Sequence, residues 1–231
     1  MDEAETAVLS IVIPALDCAD SLARTLAALA ATGDAGVEVV VVDGGSSDRT
    51  RGVATAAGAR VLRAEGGRGA QLAFGAGAAR GDCLLFLHAD TVPGPGWAEA
   101  TARFTADLSN RRRAAYFRFA LGDPAPAARR LERVVAWRAR VLGLPYGDQG
   151  LLLGRQFYED IGGFKPMVLM EDVDMARRIG RRNLVALDVP AVTSAARYRA
   201  GGYVARPLRN LTCLGLYFLG LPPALIARIY R

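Results

Sequence analysis

Val39-Val40-Val41-Val42-Asp43-Gly44-Gly45-Ser46-Ser47-Asp48-Arg49-Thr50 sets the architecture of the chain. Four consecutive β-branched apolar residues predict a strand buried on both faces, as in a parallel sheet. Asp43 then places a carboxylate at the carboxyl edge of that strand. The Gly-Gly-Ser-Ser turn leads into a helix that Ser47 or Asp48 can cap. In open α/β sheets this edge is where ligands bind. The string is neither G-x-G-x-x-G nor G-x-x-x-x-G-K-[ST], so it offers neither a dinucleotide fingerprint nor a P-loop. What remains is a nucleotide site that uses a carboxylate.

Strand and helix alternate on both sides of this stretch. Ser10 to Ile13 reads as a strand closed by Pro14, and Asp20 can cap a helix with Leu22, Leu26 and Leu29 on one face. Helix Thr50 to Ala57, strand Ala59 to Leu62, helix Arg68 to Ala79 and strand Cys83 to Leu87 continue the series. Strands spaced by such helices imply parallel βαβ units. The second half is less regular. Helix Trp97 to Leu108, strand Tyr116 to Leu121 and an amphipathic helix Ala127 to Leu142, with Leu131, Val134, Val135 and Leu142 near one stripe, are expected there.

The chain has 231 residues and a net charge of +6, with Lys165 as its one lysine among 29 basic residues. A composition bias toward arginine explains most of that count. Individual guanidinium groups remain suited to bidentate phosphate contacts. Cys18, Cys83 and Cys213 lie far apart with no C-x-x-C pair, which fits small buried thiols in a reducing compartment. The acidic start Met1-Asp2-Glu3 lacks signal-peptide character, so a cytoplasmic location is expected.

Two further strings carry chemistry. Leu84-Leu85-Phe86-Leu87-His88-Ala89-Asp90 is a second apolar strand ending in polar residues, and strand alternation would put His88 and Asp90 on one side. A carboxylate there beside Asp43 suggests a hard divalent ion and a phosphate. Met170-Glu171-Asp172-Val173-Asp174 opens a helix expected to continue to Arg182. Complementing the helix dipole accounts for acids in a first turn, and a site at the helix mouth accounts for them as well.

Ile13-Pro14-Ala15, the Asp43 string, Arg68-Gly69-Ala70-Gln71, His88-Ala89-Asp90 and Gly162-Gly163-Phe164 with Glu171-Asp172 stand in an order that resembles the family 2 glycosyltransferases. The resemblance covers about residues 8 to 190. It implies an α/β GT-A fold: a Rossmann-like, mostly parallel central sheet flanked by helices in a single domain. That domain would span 1–205, with a donor half over about 8–100 and an acceptor half over about 101–205. It implies an inverting enzyme, a hexosyltransferase by type, that takes a UDP- or GDP-sugar and a hydroxyl acceptor. Asp43 then resembles the acid that meets the nucleobase, with Pro14, Ala15, Asp17 and Gly44 near the base. Arg68, His88 and Ala89 lie beside the nucleotide, and Asp90 matches the last acid of an Asp-X-Asp metal motif for Mg or Mn. Asp172 matches the general base, and Glu171 orients the acceptor or the helix. His88 departs from the usual aspartate, and imidazole is a poorer Mg²⁺ ligand than carboxylate.

Asp148 and Gln149 are read either as a capped turn or as acceptor-side contacts. Arg197 and Arg199, before Gly201-Gly202, are read either as solvated charge or as a loop closing on the diphosphate. Residues 206–231 form an apolar segment, uncharged from Leu211 to Ala227 and interrupted by Pro222-Pro223. It is too short to span a bilayer. It is read either as a buried closing helix or as a segment in peripheral contact with the inner face of the membrane, its flanking arginines toward the headgroups, near a lipid-linked acceptor. A nucleotidyltransferase would need a basic glycine-rich loop after the first strand, and Ile13-Pro14-Ala15-Leu16 has none. A catalytically silent nucleotide-sugar-binding protein is the other alternative. Arg111-Arg112-Arg113 lacks the aromatic interleaving of a nucleic-acid site, so no nucleic-acid partner is expected.

Overall fold

Strand β1 (Leu9–Ala15) pairs in parallel with β2 (Val37–Asp43) and β4 (Cys83–Phe86), and β2 pairs with β3 (Arg60–Arg63). The computed structural model describes residues 9–31 and 36–230, apart from the Arg197 side chain; the start of the chain lies outside the described residues. Helices α1 (Ala19–Ala30), α2 (Thr50–Ala56) and α3 (Arg68–Ala78) are the crossovers. Ile11, Ile13 and Val41 face Leu22, Leu26 and Leu29 of α1. Val12, Val40 and Val42 face the opposite layer with Leu72 and Ala76 of α3. Both faces of these strands are covered, which is why their residues are apolar without alternation. Full burial of each such leucine contributes about 1.5–3 kcal/mol.

Among the described residues the sheet has eight strands in the order β3-β2-β1-β4-β7-β6-β8-β5. After β5 (Thr91–Pro93) and α4 (Trp97–Ala106) come β6 (Ala114–Leu121) and α5 (Pro126–Trp137). Strand β7 (Leu151–Gly154) lies antiparallel between β4 and β6, and α6 (Arg155–Asp160) follows it. Then come α7 (Glu171–Ile179) and β8 (Leu184–Thr193), which pairs parallel to β6 and antiparallel to β5. The chain ends in α8 (Ala196–Gly201), α9 (Ala205–Phe218) and α10 (Pro223–Tyr230). This is the α/β GT-A architecture, parallel in its first half.

Several expectations are corrected. The helix expected to reach Leu142 ends at Trp137 and continues as a wider π turn over Arg138–Leu142. Leu131 and Val135 are buried, whereas Val134 and Leu142 are exposed, and Leu142 lies in the π turn, whose wider spacing breaks the 3.6-residue stripe. The helix expected to reach Arg182 stops at Ile179, where Gly180 leaves helical geometry at φ 79°. The Arg197–Gly202 stretch is mostly the helix α8 rather than a loop. The segment from residue 206 packs on the domain: Cys213, Leu214 and Ile226 are buried with Leu144, Met170, Val173 and Ala176. Among the described residues no helix is long and apolar enough to cross a membrane.

Candidate active site

The loop after β2 is built by its own carboxylates. Asp43 is 1% exposed and accepts hydrogen bonds from the backbone N–H of Gly45 and of Ser46, at 3.1–3.2 Å. Asp17 takes φ 45°, and its Oδ1 accepts from the Ser47 N–H at 2.8 Å and the Ser47 hydroxyl at 3.0 Å. The loop in turn satisfies the start of α1, where Asp20 was expected to cap. Ser46 Oγ accepts from the Asp17 N–H, Thr50 Oγ1 from Cys18 and Asp48 Oδ2 from Ala19. Gln71 donates from below to the carbonyls of Ala15 and Val42, tying the ends of β1 and β2 together. A groove over this edge is lined by Leu16, Asp17, Arg24, Asp48, Arg49, Asp90 and Ser194.

Asp90 and Ser194 also line a second, deeper cavity with Arg68, His88, Tyr146, Asp148, Glu171 and Asp172. His88 and Asp90 reach it from a turn closed by the Thr91 N–H to the His88 carbonyl, since β4 ends at Phe86. The expectation that they share a side holds, but a turn rather than strand alternation produces it. On the facing wall, Met170 adopts φ 67° and starts α7 abruptly at Glu171. Asp172 then accepts from the Gly147 N–H at 3.0 Å through Oδ2 and from the Val173 N–H at 2.8 Å through Oδ1.

The three acids of the α7 first turn do different work. Glu171 is 2% exposed, and burial pushes its carboxyl up while Arg68, 3.1 Å away, pulls it down. Asp174 pairs with Lys165 at 2.9 Å and with Arg178 at 2.7 Å, so it is structural. Asp172 is the acid of this turn held beside Asp148 and the 147–149 turn. Burial raises the Asp148 carboxyl to about 6, Arg138 opposes this, and the charges of Asp172 and Asp90 add to it.

Other expected residues fall outside the cavity. Asp43 lines neither hollow, and its carboxylate accepts from the loop that follows it. Pro14 and Ala15 are buried beneath the edge, Ala89 is buried in the sheet core, and Gly44 is half-buried against Gln71. Gln149 is 1% exposed and donates to the Phe117 carbonyl, so it supports the turn from within. Arg199 points to Asp123 at 2.8 Å, and the Arg197 side chain lies outside the described residues. The cavity wall gains residues that no motif signalled: Tyr146, Tyr198, Arg206, Asn210 and Tyr230. Three of these belong to the apolar tail, whose hydropathy hid their polar contribution.

Residues 10–110 match the model for Glycosyl transferase family 2. Over that stretch, somewhat less than half of the chain, the sequence is similar to this family. Glucosyl-3-phosphoglycerate synthase of Mycolicibacterium paratuberculosis is 35% identical over 94 residues, covering 36% of this chain and 29% of the relative. The chain thus matches well under a third of that curated relative's length. The solved glucosyl-3-phosphoglycerate synthase of Mycobacterium tuberculosis, in complex with Mn²⁺, UDP and glucosyl-3-phosphoglycerate, superposes with a TM-score of 0.62 at 19% identity. That match covers 94% of this chain and 81% of the other. Mannosyl-3-phosphoglycerate synthase of Rubrobacter xylanophilus gives 0.61 at 18% identity, covering 93% and 75%. At these identities the solved structures support the GT-A fold and nothing finer.

Proposed function

We propose that this family 2 protein moves a sugar from a nucleotide-diphosphate donor to a hydroxyl acceptor with inversion. The observation that carries this is the position of Asp90 and Asp172 on one cavity, with Asp172 fixed by the Gly147 N–H. The nucleoside would lie in the groove by Asp17 and Asp48, and the sugar would enter the cavity past Asp90. Each oxygen of Asp172 accepts one backbone bond and keeps capacity for another. As the acceptor oxygen bonds to the anomeric carbon, its proton passes to Asp172. The bond from the anomeric carbon to the diphosphate breaks on the opposite face, and the leaving oxygen keeps the electron pair. Glu171 holds Arg68 at the cavity wall, where a guanidinium can meet the departing diphosphate.

A divalent ion fits this donor set. Among the described residues no three His, Cys, Asp or Glu cluster as a closed metal site. Mg²⁺ and Mn²⁺ need only one or two carboxylates when a substrate phosphate completes the shell. Asp90, at the junction of groove and cavity, would hold it, and the ion would supply charge stabilisation for the leaving diphosphate. Solved structures of the fold carry Mn²⁺ with UDP-glucose, which supports a UDP-sugar as the first donor to test.

The test is a thermal-shift panel of UDP-, GDP- and dTDP-sugars with and without Mn²⁺, followed by transfer of labelled sugar to added hydroxyl acceptors. Metal-dependent stabilisation by one nucleotide class is expected. No stabilisation by any nucleotide overturns the donor assignment. A second reading rests on the tail, where Val204, Leu208, Leu211, Leu219 and Ile229 are exposed among arginines. This surface supports peripheral contact with an anionic bilayer and a lipid-linked acceptor. Failure to sediment with phosphatidylglycerol vesicles at low salt would remove that reading.

A further inference from the structure

Asp148 is the cavity carboxylate for which neither the fold nor the proposed proton transfer has a use. Its Oδ1 is shielded from solvent and has no hydrogen-bond partner. An ionised oxygen in that position is strongly disfavoured unless a cation or a donor meets it. The arginines near it are committed elsewhere. Arg138 donates from Nε to the Leu144 carbonyl at 2.9 Å and stacks on Tyr146 at 3.4 Å from the ring centroid. Arg68 is paired with Glu171.

The backbone holds Asp148 close to Asp90. Thr193 Oγ1 donates to the Asp148 carbonyl at 3.4 Å, and the neighbouring Ser194 N–H donates to the Asp90 carbonyl at 3.3 Å. The two aspartates are therefore tied to consecutive residues at the end of β8, and both line the same cavity. We propose that Asp148 is the second protein ligand of the divalent cation whose first is Asp90. The inference rests on the metal assignment made above and extends it to a residue outside the Asp-X-Asp position. Two carboxylates leave most of the shell to phosphate oxygens and water. Mn²⁺ and UDP should accordingly bind far better together than apart.

The experiment titrates Mn²⁺ into the full chain with saturating UDP and follows free Mn²⁺ by electron paramagnetic resonance. UDP binding in EDTA is measured in parallel by calorimetry. Asp148→Asn is expected to lower Mn²⁺ affinity at least tenfold while leaving metal-free UDP binding unchanged. Asp148→Ser gives the same comparison if the asparagine variant does not fold. Wild-type Mn²⁺ affinity in either folded variant overturns the inference and leaves the donor assignment standing. UDP binding by the wild type that is indifferent to Mn²⁺ does the same. Absence of binding by the wild type to UDP, GDP and dTDP alike removes both.

Discussion

The Gly147 N–H donates to Oδ2 of Asp172 at 3.0 Å, so the 147–149 turn and the first turn of α7 are joined at the proposed base. On its other side Gly147 lies against the His88 imidazole: a Cβ built there would stand 2.8 Å from Cε1 and nearer still to Nε2. His88, Gly147 and Asp172 thus form one packed row linking the end of β4 to α7.

That row predicts the effect of one methyl group. Gly147→Ala must displace either the imidazole or the turn, and the second shifts Asp172 off the acceptor. A displacement of this kind at a reacting group is worth about tenfold to a hundredfold in rate. Transfer by Gly147→Ala should fall by at least that lower figure, with circular dichroism unchanged. Full activity would show that the row does not position the base.

Asp172→Asn separates structure from chemistry. The one side-chain oxygen of asparagine can still accept the Gly147 N–H, giving up only the bond from the adjacent Val173 N–H, so the fold and donor binding should persist. The proton acceptor is gone, and general-base loss costs about 10²–10⁴-fold. Sugar transfer at saturating donor is the measurement, and a rate within threefold of wild type, on the order of the noise in such assays, would place the base elsewhere.

The Arg68–Glu171 pair is a stability prediction. Arg68→Ala leaves a carboxyl that is 2% exposed without its cation. Breaking a buried pair costs about 3–5 kcal/mol, but the Arg68 side chain is 39% exposed and water will screen part of that, so about 1–3 kcal/mol is expected. Urea unfolding measures it. Adding Glu171→Gln to Arg68→Ala should recover part of the loss, because the stranded charge is removed. Gly69 sets this pair by close approach: its N–H donates to the Met167 carbonyl at 3.0 Å, and a Cβ there would stand 2.7 Å from the Met167 nitrogen.

The donor half was legible because its signals are local and agree with one another. Val39 to Val42 must be buried on both faces, and Asp43-Gly44-Gly45 must turn. The hydrogen bonds of Asp43 to its own loop were not legible, since a strand-end carboxylate gives the same sequence with or without them. Strand β8 gave no signal because Asp188 and Pro190 interrupt its pattern, and its pairing with β6 shifts register between Phe117 and Arg118. The polar cavity wall from Arg206, Asn210 and Tyr230 depends on how the tail packs against Met170 and Val173, which no local pattern encodes. Asp90 and Asp172, both read from local strings, line one cavity, the first from the turn before β5 and the second from the first turn of α7.

Helix α8 brings Tyr198 to the cavity. Asp123 anchors it by accepting from Arg199 Nε at 2.8 Å and from the Tyr203 hydroxyl at 2.7 Å. The Arg199 hydrogen bond is the largest of the causes that hold the Asp123 carboxyl down at about 2, below its ordinary 3.8. A carboxyl whose folded value is depressed stabilises the protein fully above its unfolded value and loses that contribution as pH falls through the folded one. The anchor should therefore be complete at neutral pH, weaken below about pH 4 and be gone near pH 2. Asp123→Asn should lower Tm at pH 7, and its difference from wild type should shrink steadily across that acid window. A Tm difference that stays constant down to pH 2 would mean that ionisation of Asp123 does not hold α8 in place.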